Sequence, residues 1–451
     1  MGAAYRVMSS NAYPAARFPG SSVLAWAIAG SLRPLQALIV APSLLFLATL
    51  ALMLFHPPDF NFHSIDRVAF GLLILVVLLR ACVLRQPLQF ATPLTWPMLA
   101  LLLLAFYGVL SQPNDAETWS LFAAKWLVPF TLYQLAAYIF DDAQSLRRFE
   151  TFSLIVLGYL SLTAIFFMFD ARQFIFPRYI LDEGLGYHAD RARGPFLQAV
   201  ANGVTLNLLG LVALNAFRRR RLRGMLALLL LVALPLAIVA TKTRAVWLSF
   251  ALSILGLLFI SPSRRLRRVC LCFVLAGSVG LAAVAVFGNR NTSLADRLEE
   301  RGPVIFRMAI YQAGWEMFLE KPLAGWGATD MQTELSKRIS DFHQEQFFFH
   351  NTYLEIVVQY GLVGLLLYLW IVLDLFKLGS GRRRRVPAAN SSFLDQEFRS
   401  LWPLLLGVYL LNGSFVVMNY QFVNGFLFTV ARLLAAQNRR HAEVEPNALA
   451  S

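Results

Sequence analysis

The sequence predicts an all-α polytopic membrane protein, and three observations carry that prediction. Of its 451 residues, 58% are hydrophobic and only 15% are charged. Its apolar runs repeatedly reach the ~20 residues a helix needs to cross a bilayer. The runs are continuous rather than alternating, so each can satisfy its own backbone hydrogen bonds as a helix in lipid, which barrel strands of alternating polarity would not suggest.

Taken in order, about twelve transmembrane helices are expected, near 36–56, 68–84, 93–111, 119–140, 149–169, 195–217, 224–240, 243–260, 269–287, 351–376, 401–418 and 422–437. The longest polar connection, 288–350, lies between spans nine and ten, so residues 1–451 read as a single integral membrane domain with one large loop inserted. The apolar piece 22–32 is too short to span and reads as interfacial. Cys82, Cys270 and Cys272 fall near one side of the spans, and no disulfide framework is expected.

A net charge of +14 raises the question of nucleic acid, but the basic residues sit in alternate loops, which is a topology signal. Arg85, the pair Arg147 and Arg148, the cluster Arg218 to Arg221, the cluster Arg264 to Arg268 and the run Arg382 to Arg385 all follow even-numbered spans. By the positive-inside rule these loops and both termini are cytoplasmic. No nucleic-acid partner is expected; membrane lipids are.

Three loops on the opposite side carry basic residues all the same. Between spans five and six stand Arg172, Arg178, Arg191 and Arg193; between seven and eight, Lys242 and Arg244; and in the long loop, Arg290, Arg297, Arg301, Arg307, Lys321, Lys337 and Arg338. Arg172, Arg178, Arg290 and Arg338 read as interfacial snorkellers. Arg191, Arg193 and Arg244 fall at the first turns of helices, where the helix dipole disfavours a cation and welcomes an anion, so an anionic ligand would resolve the conflict. The guanidinium fork suits phosphate oxygens. Within the loop, the spacing of Ile305, Met308, Ala309, Gln312, Trp315, Met317 and Phe318 predicts an amphipathic helix over 303–319 that carries Arg307. Lys125, about two turns inside the fourth span, either lines the same pocket or snorkels outward.

One histidine stands out. In the stretch from Phe347 to Glu355, Thr352 and Glu355 have the spacing of a capping box, which places His350 just outside a helix start. A helix N-terminus disfavours an imidazolium, so the neutral, proton-accepting form is expected, as a general base requires. His56, His63, His188 and His343 share that side of the membrane, yet none has the spacing of a metal site, and the site is expected to be metal-free with no cofactor.

Several motifs in order resemble the bacterial O-antigen ligases and the related O-antigen polymerases and O-oligosaccharyltransferases. They run from Arg191-Ala192-Arg193-Gly194 through Thr241-Lys242-Thr243-Arg244 and Arg307 ahead of Tyr311 to Glu320-Lys321-Pro322-Leu323-Ala324-Gly325-Trp326-Gly327. His350-Asn351-Thr352-Tyr353-Leu354 and Tyr360-Gly361-Leu362-Val363-Gly364 complete the set. The resemblance implies a GT-C-like helical architecture in the bacterial inner membrane with 288–350 as a periplasmic loop. It also implies an undecaprenyl-pyrophosphate-linked glycan donor and, for a ligase, a lipid A core acceptor. His350 would then be the catalytic base, and Arg191, Arg193, Arg244 and Arg307 would bind the diphosphate. Arg301, Lys125, Asn351 and Tyr353 are secondary candidates. A polymerase or protein O-oligosaccharyltransferase is the alternative, and a transporter of anionic glycolipid the more distant one, since no inverted repeat is evident.

Overall fold

A computed structural model of the chain describes residues 41–57, 63–85, 88, 90–110, 114–287, 302–339, 348–379 and 393–449. The interfacial piece 22–32, Arg290, Arg297, Arg301, His343 and Arg382 to Arg385 lie outside them. Among the described residues the regular structure is all helical. In chain order the helices are α1 (Pro42–Leu54), α2 (Ile65–Leu84), α3 (Thr95–Leu110), α4 (Ala116–Phe122), α5 (Val128–Ile139), α6 (Ala143–Met168), α7 (Ala199–Arg218), α8 (Gly224–Ala240), α9 (Arg244–Ile260) and α10 (Arg264–Phe287). They continue with α11 (Gly302–Glu320), α12 (Ala328–Arg338), α13 (Thr352–Gly379), α14 (Gln396–Gly413) and α15 (Gln421–Leu449). A π-helical turn, Ala123–Leu127, joins α4 to α5, so the expected fourth span is one helical rod with a π-turn inside it.

Every expected span falls on a helix. Among the described residues α2, α6, α7 and α13 are long and apolar enough to cross a bilayer by themselves, and α1, α3, α8 and α9 are shorter apolar helices. Together they make a multi-pass helical membrane protein. At its centre is α7, with 94% of its apolar window buried, packed against α6, α8, α9 and α14. Where α7 ends, Arg218 pairs with Asp395 and with Glu397 at 3.1 Å, and Arg219 with Glu150 at 3.0 Å. The arginines that read as topology signals therefore also clamp that end of the bundle.

The long loop contributes α11 and α12, which close a small core of their own from Ile310, Met317, Met331, Leu335, Phe349 and Val358. The expected amphipathic helix differs from expectation. Met317 turns inward to this core, whereas Ile305, Met308, Trp315 and Leu319 form an exposed apolar stripe on another side, so α11 is apolar on two faces. The physical reason is that a helix lying over a membrane protein meets both the protein and its apolar surroundings.

A second departure concerns α13, expected as one continuous span. It breaks at Gly361, with φ 63° and ψ −161°. A break frees backbone groups that must find partners, and the segment after α11 supplies them. The Trp326 and Gly327 amides donate to the Val358 and Gln359 carbonyls at 2.9 and 3.0 Å, and the Leu362 amide donates to the Pro322 carbonyl at 2.8 Å. A Cβ on Gly361 would lie 2.2 Å from the Leu323 carbonyl oxygen, and one on Gly325 would lie 2.5 Å from that of Gln359. Only glycines permit this backbone clasp.

Candidate active site

His350 lies between the small loop core and the start of α13. Phe349 before it is buried against α11, and Asn351 after it caps the helix, its Oδ1 accepting from the Tyr353 and Leu354 amides at 3.0 and 3.2 Å. His350 itself takes a left-handed conformation, φ 50°. The expected Thr352–Glu355 capping box is not formed. Thr352 Oγ1 instead donates to the Val416 carbonyl at 2.9 Å and accepts from the Met418 amide at 3.0 Å, while Glu355 receives Lys125 Nζ at 2.7 Å. Asparagine is a strong N-cap in its own right, which frees both residues to tie α13 to its neighbours.

The His350 imidazole is partly buried, its ring 6.4 Å from that of Phe306. Burial first, then the Arg307 guanidinium and His188, push its pKa down to about 4. The neutral form therefore predominates at neutral pH, and desolvation with neighbouring positive charge is the cause, where the sequence pointed to the helix end.

His188 belongs to the loop that carries the arginine motif. The Arg191 amide donates to the His188 carbonyl at 3.1 Å, and the Ala192 amide donates to the Ala240 carbonyl at 3.1 Å, pinning this loop to the 241–243 turn that leads into Arg244. Asn202 Nδ2 fixes the Ala192 carbonyl at 2.9 Å. So Arg307 and His188 lie within electrostatic reach of His350, and the loop from His188 to Ala192 that includes Arg191 is held beside the turn that leads into Arg244. Arg191 Nε lies 3.9 Å from Asp190 Oδ1, and Arg244 is exposed at the first residue of α9.

Residues 226–369 match the family described as O-antigen ligase. Over this segment, about a third of its length, the chain is similar to that family. No curated protein matches the chain. The matched segment contains Arg244, Arg307 and His350 together with the Gly361 clasp, while Lys125, His188 and Arg191 lie before it.

The structure also separates residues that the sequence had grouped. Arg193 is fully buried. Its guanidinium donates twice to the Ile180 carbonyl, at 3.0 and 2.9 Å, and also to the carbonyls of Asp182 and Leu185. Those donors hold the 180–185 segment rather than face a ligand, because a loop this irregular leaves carbonyls that need donors. Tyr353 points into the bundle and donates to the Leu410 carbonyl at 2.5 Å. Two expected snorkellers are held within their own loop instead: Arg178 donates to the Arg172 and Gln173 carbonyls, each at 2.9 Å, and Arg172 Nε donates to Asp170 Oδ1 at 2.8 Å. A third, Arg338, pairs with Glu320 at 2.7 Å and Glu334 at 3.1 Å.

Beside the site, a cleft of about 220 Å³ is lined by Asp115, Lys125, Trp126, Gln332, Glu355 and Tyr360, among others. Its mix of aromatic rings and polar groups suits a hydroxylated ligand. Sequence reasoning missed His188 as a neighbour of His350; its place three residues before Arg191 was the available signal. It also missed a group of metal-ligating type, His56, His63 and Asp66, on the α1–α2 hairpin.

Proposed function

We propose that the protein is an O-antigen ligase, an inverting and metal-independent glycosyltransferase that moves O-antigen polysaccharide from undecaprenyl pyrophosphate to a lipid A core sugar hydroxyl in lipopolysaccharide biosynthesis. The observation that carries this reading is His350 held neutral beside Arg307 within the matched family segment. In this reading the enzyme is a twelve-span protein of the bacterial inner membrane with GT-C-like architecture, both termini cytoplasmic and the His350 face periplasmic.

His350 takes the proton from the acceptor hydroxyl as its oxygen attacks the anomeric carbon. The bond from that carbon to the pyrophosphate oxygen breaks, and its electron pair leaves with the diphosphate. Attack opposite the leaving group inverts the anomeric centre. Because the diphosphate is a weak base, it needs charge stabilisation more than a proton, and Arg307, Arg244 and Arg191 supply this with guanidinium donors. Arg193 positions the loop that presents Arg191. The bound diphosphate also alters the base: its negative charge offsets the Arg307 contribution that holds the imidazole near 4, so His350 becomes more basic when donor is in place.

The test uses the purified protein in EDTA with a lipid-pyrophosphate glycan and a lipid A core acceptor. A new glycolipid joining the two is expected. Lengthening of the donor glycan would mark a polymerase, transfer to protein would mark an O-oligosaccharyltransferase, and no transfer to any acceptor would overturn the reading.

A further inference from the structure

The hairpin between α1 and α2 gathers three side chains that the reaction does not use. His56 follows the end of α1, His63 precedes α2, and Asp66 stands in the first turn of α2. The side chains of His56 and Asp66 are 1% and 2% exposed, and that of His63 is 26% exposed. His56 Nδ1 lies 2.7 Å from Asp66 Oδ2, and His63 Nδ1 lies 3.9 Å from Asp66 Oδ1. One ligand atom from each of the three falls within 4.8 Å of the others.

The hydrogen bonding of this cluster is incomplete. His63 Nδ1 and Asp66 Oδ1 are buried and lack a hydrogen-bond partner, and the close His56 Nδ1–Asp66 Oδ2 contact lacks the alignment of a hydrogen bond. Buried polar atoms are nearly always satisfied, and those that converge without partners call for an ion or another group among them. Zinc binds histidine nitrogen and carboxylate oxygen at ~2.0–2.2 Å, so tetrahedral ligand atoms stand roughly 3.3–3.5 Å apart. The 2.7 and 3.9 Å distances, which run to the two oxygens of one carboxylate, and the 4.8 Å limit on the three ligand atoms lie on both sides of that spacing, so side-chain shifts of roughly an ångström would reach it. Two imidazoles with one carboxylate are a ligand set for first-row divalent cations rather than for Mg²⁺ or Ca²⁺. Asp66 also lines a cavity of about 490 Å³ with Arg67, Asn114, Ser120 and Gln421, which gives room for a water as fourth ligand.

We propose that His56, His63 and Asp66 form a binding site for a first-row divalent cation, with Zn²⁺ the fitting probe, that cross-links α1 to α2 apart from the glycan chemistry. The site does not depend on the ligase reading, because its test measures metal and stability rather than transfer.

The experiment titrates Zn²⁺ into detergent-purified full-length protein stripped with EDTA, counts bound metal, and follows thermal unfolding. One Zn²⁺ per chain with micromolar or tighter affinity and a raised Tm is expected. Co²⁺ in its place should show intense tetrahedral absorption. His63→Gln keeps the His56–Asp66 contact and should weaken Zn²⁺ binding at least tenfold, with the metal-free Tm unchanged; Asp66→Asn serves as the second variant. His350→Ala should bind Zn²⁺ as the wild type does. No bound Zn²⁺ in the wild type, binding undiminished in both hairpin variants, or binding lost in His350→Ala would overturn the proposal.

Discussion

Two histidine sites in this molecule are built around partners of opposite charge. His350 is set beside Arg307 and His188, whereas His56 and His63 close on the buried carboxylate of Asp66. The first arrangement repels protons and cations and welcomes an anion; the second offers a negative oxygen and two ring nitrogens to a cation. On the two proposals, the same side chain would serve a phosphate-bearing ligand in one place and a metal in the other, with the neighbour deciding which. The two are structurally linked, since the Tyr179 hydroxyl lies 3.4 Å from the Phe55 carbonyl oxygen and 3.2 Å from that of Pro195.

The sharpest way to break the comparison is His350→Ala. Loss of a general base should slow transfer by ~10² to 10⁴-fold in an initial-rate assay of glycolipid formation. A full rate in a stably folded variant would remove His350 from the chemistry.

Arg307→Gln comes next. It should reduce the rate by about 10² to 10³-fold, by analogy with removal of one charge-stabilising donor. It should also move the pH profile. Protonated His350 cannot accept a proton, so kcat/KM of the wild type should fall below about pH 4; deleting a cation that lowers this pKa should shift the acid limb upward, towards the ordinary 6.5. An unmoved limb would separate Arg307 from His350.

Asn351→Ala should cost about 1 kcal/mol of stability, the usual effect of losing an N-cap. Thermal unfolding reads that loss, and transfer should slow because His350 loses its fixed neighbour. The smallest effect is expected from Tyr179→Phe, at roughly 0.5–1.5 kcal/mol for one hydrogen bond. It sharpens the comparison by asking whether disturbing the shared strut changes Zn²⁺ affinity and transfer together or neither.

Much of this architecture was legible because its signals are local. Apolar run length marks helices, and charge parity marks sides, so every expected span falls on a helix. Asn351, Thr352 and Glu355 stand together in the sequence, which was enough to place the start of α13 though not to say which residue caps it. Two good cap formers in succession compete, and the tertiary partners Val416, Met418 and Lys125 decide the outcome. Arg193 illustrates the same limit: an arginine in a loop looks like a ligand group until the carbonyls it satisfies are seen. His56 meets His63 and Asp66 only because α1 and α2 pack as a hairpin, and no spacing rule contains that information. The break in α13 had a trace in its paired glycines, Gly361 and Gly364, but the partner segment lies more than thirty residues earlier.

The backbone clasp between 322–327 and 358–363 has a bearing on how such a chain can vary. It joins the end of the helix bearing Arg307 to α13 a few residues past His350. The two residues are therefore registered through α11, the clasp and α13, and α12, which follows the clasp, returns Met331 and Leu335 to the small core that also holds Phe349. A side chain introduced at Gly361 or Gly325 would therefore act on the chemistry from a distance, by shifting the register between Arg307 and His350, neither of which it replaces.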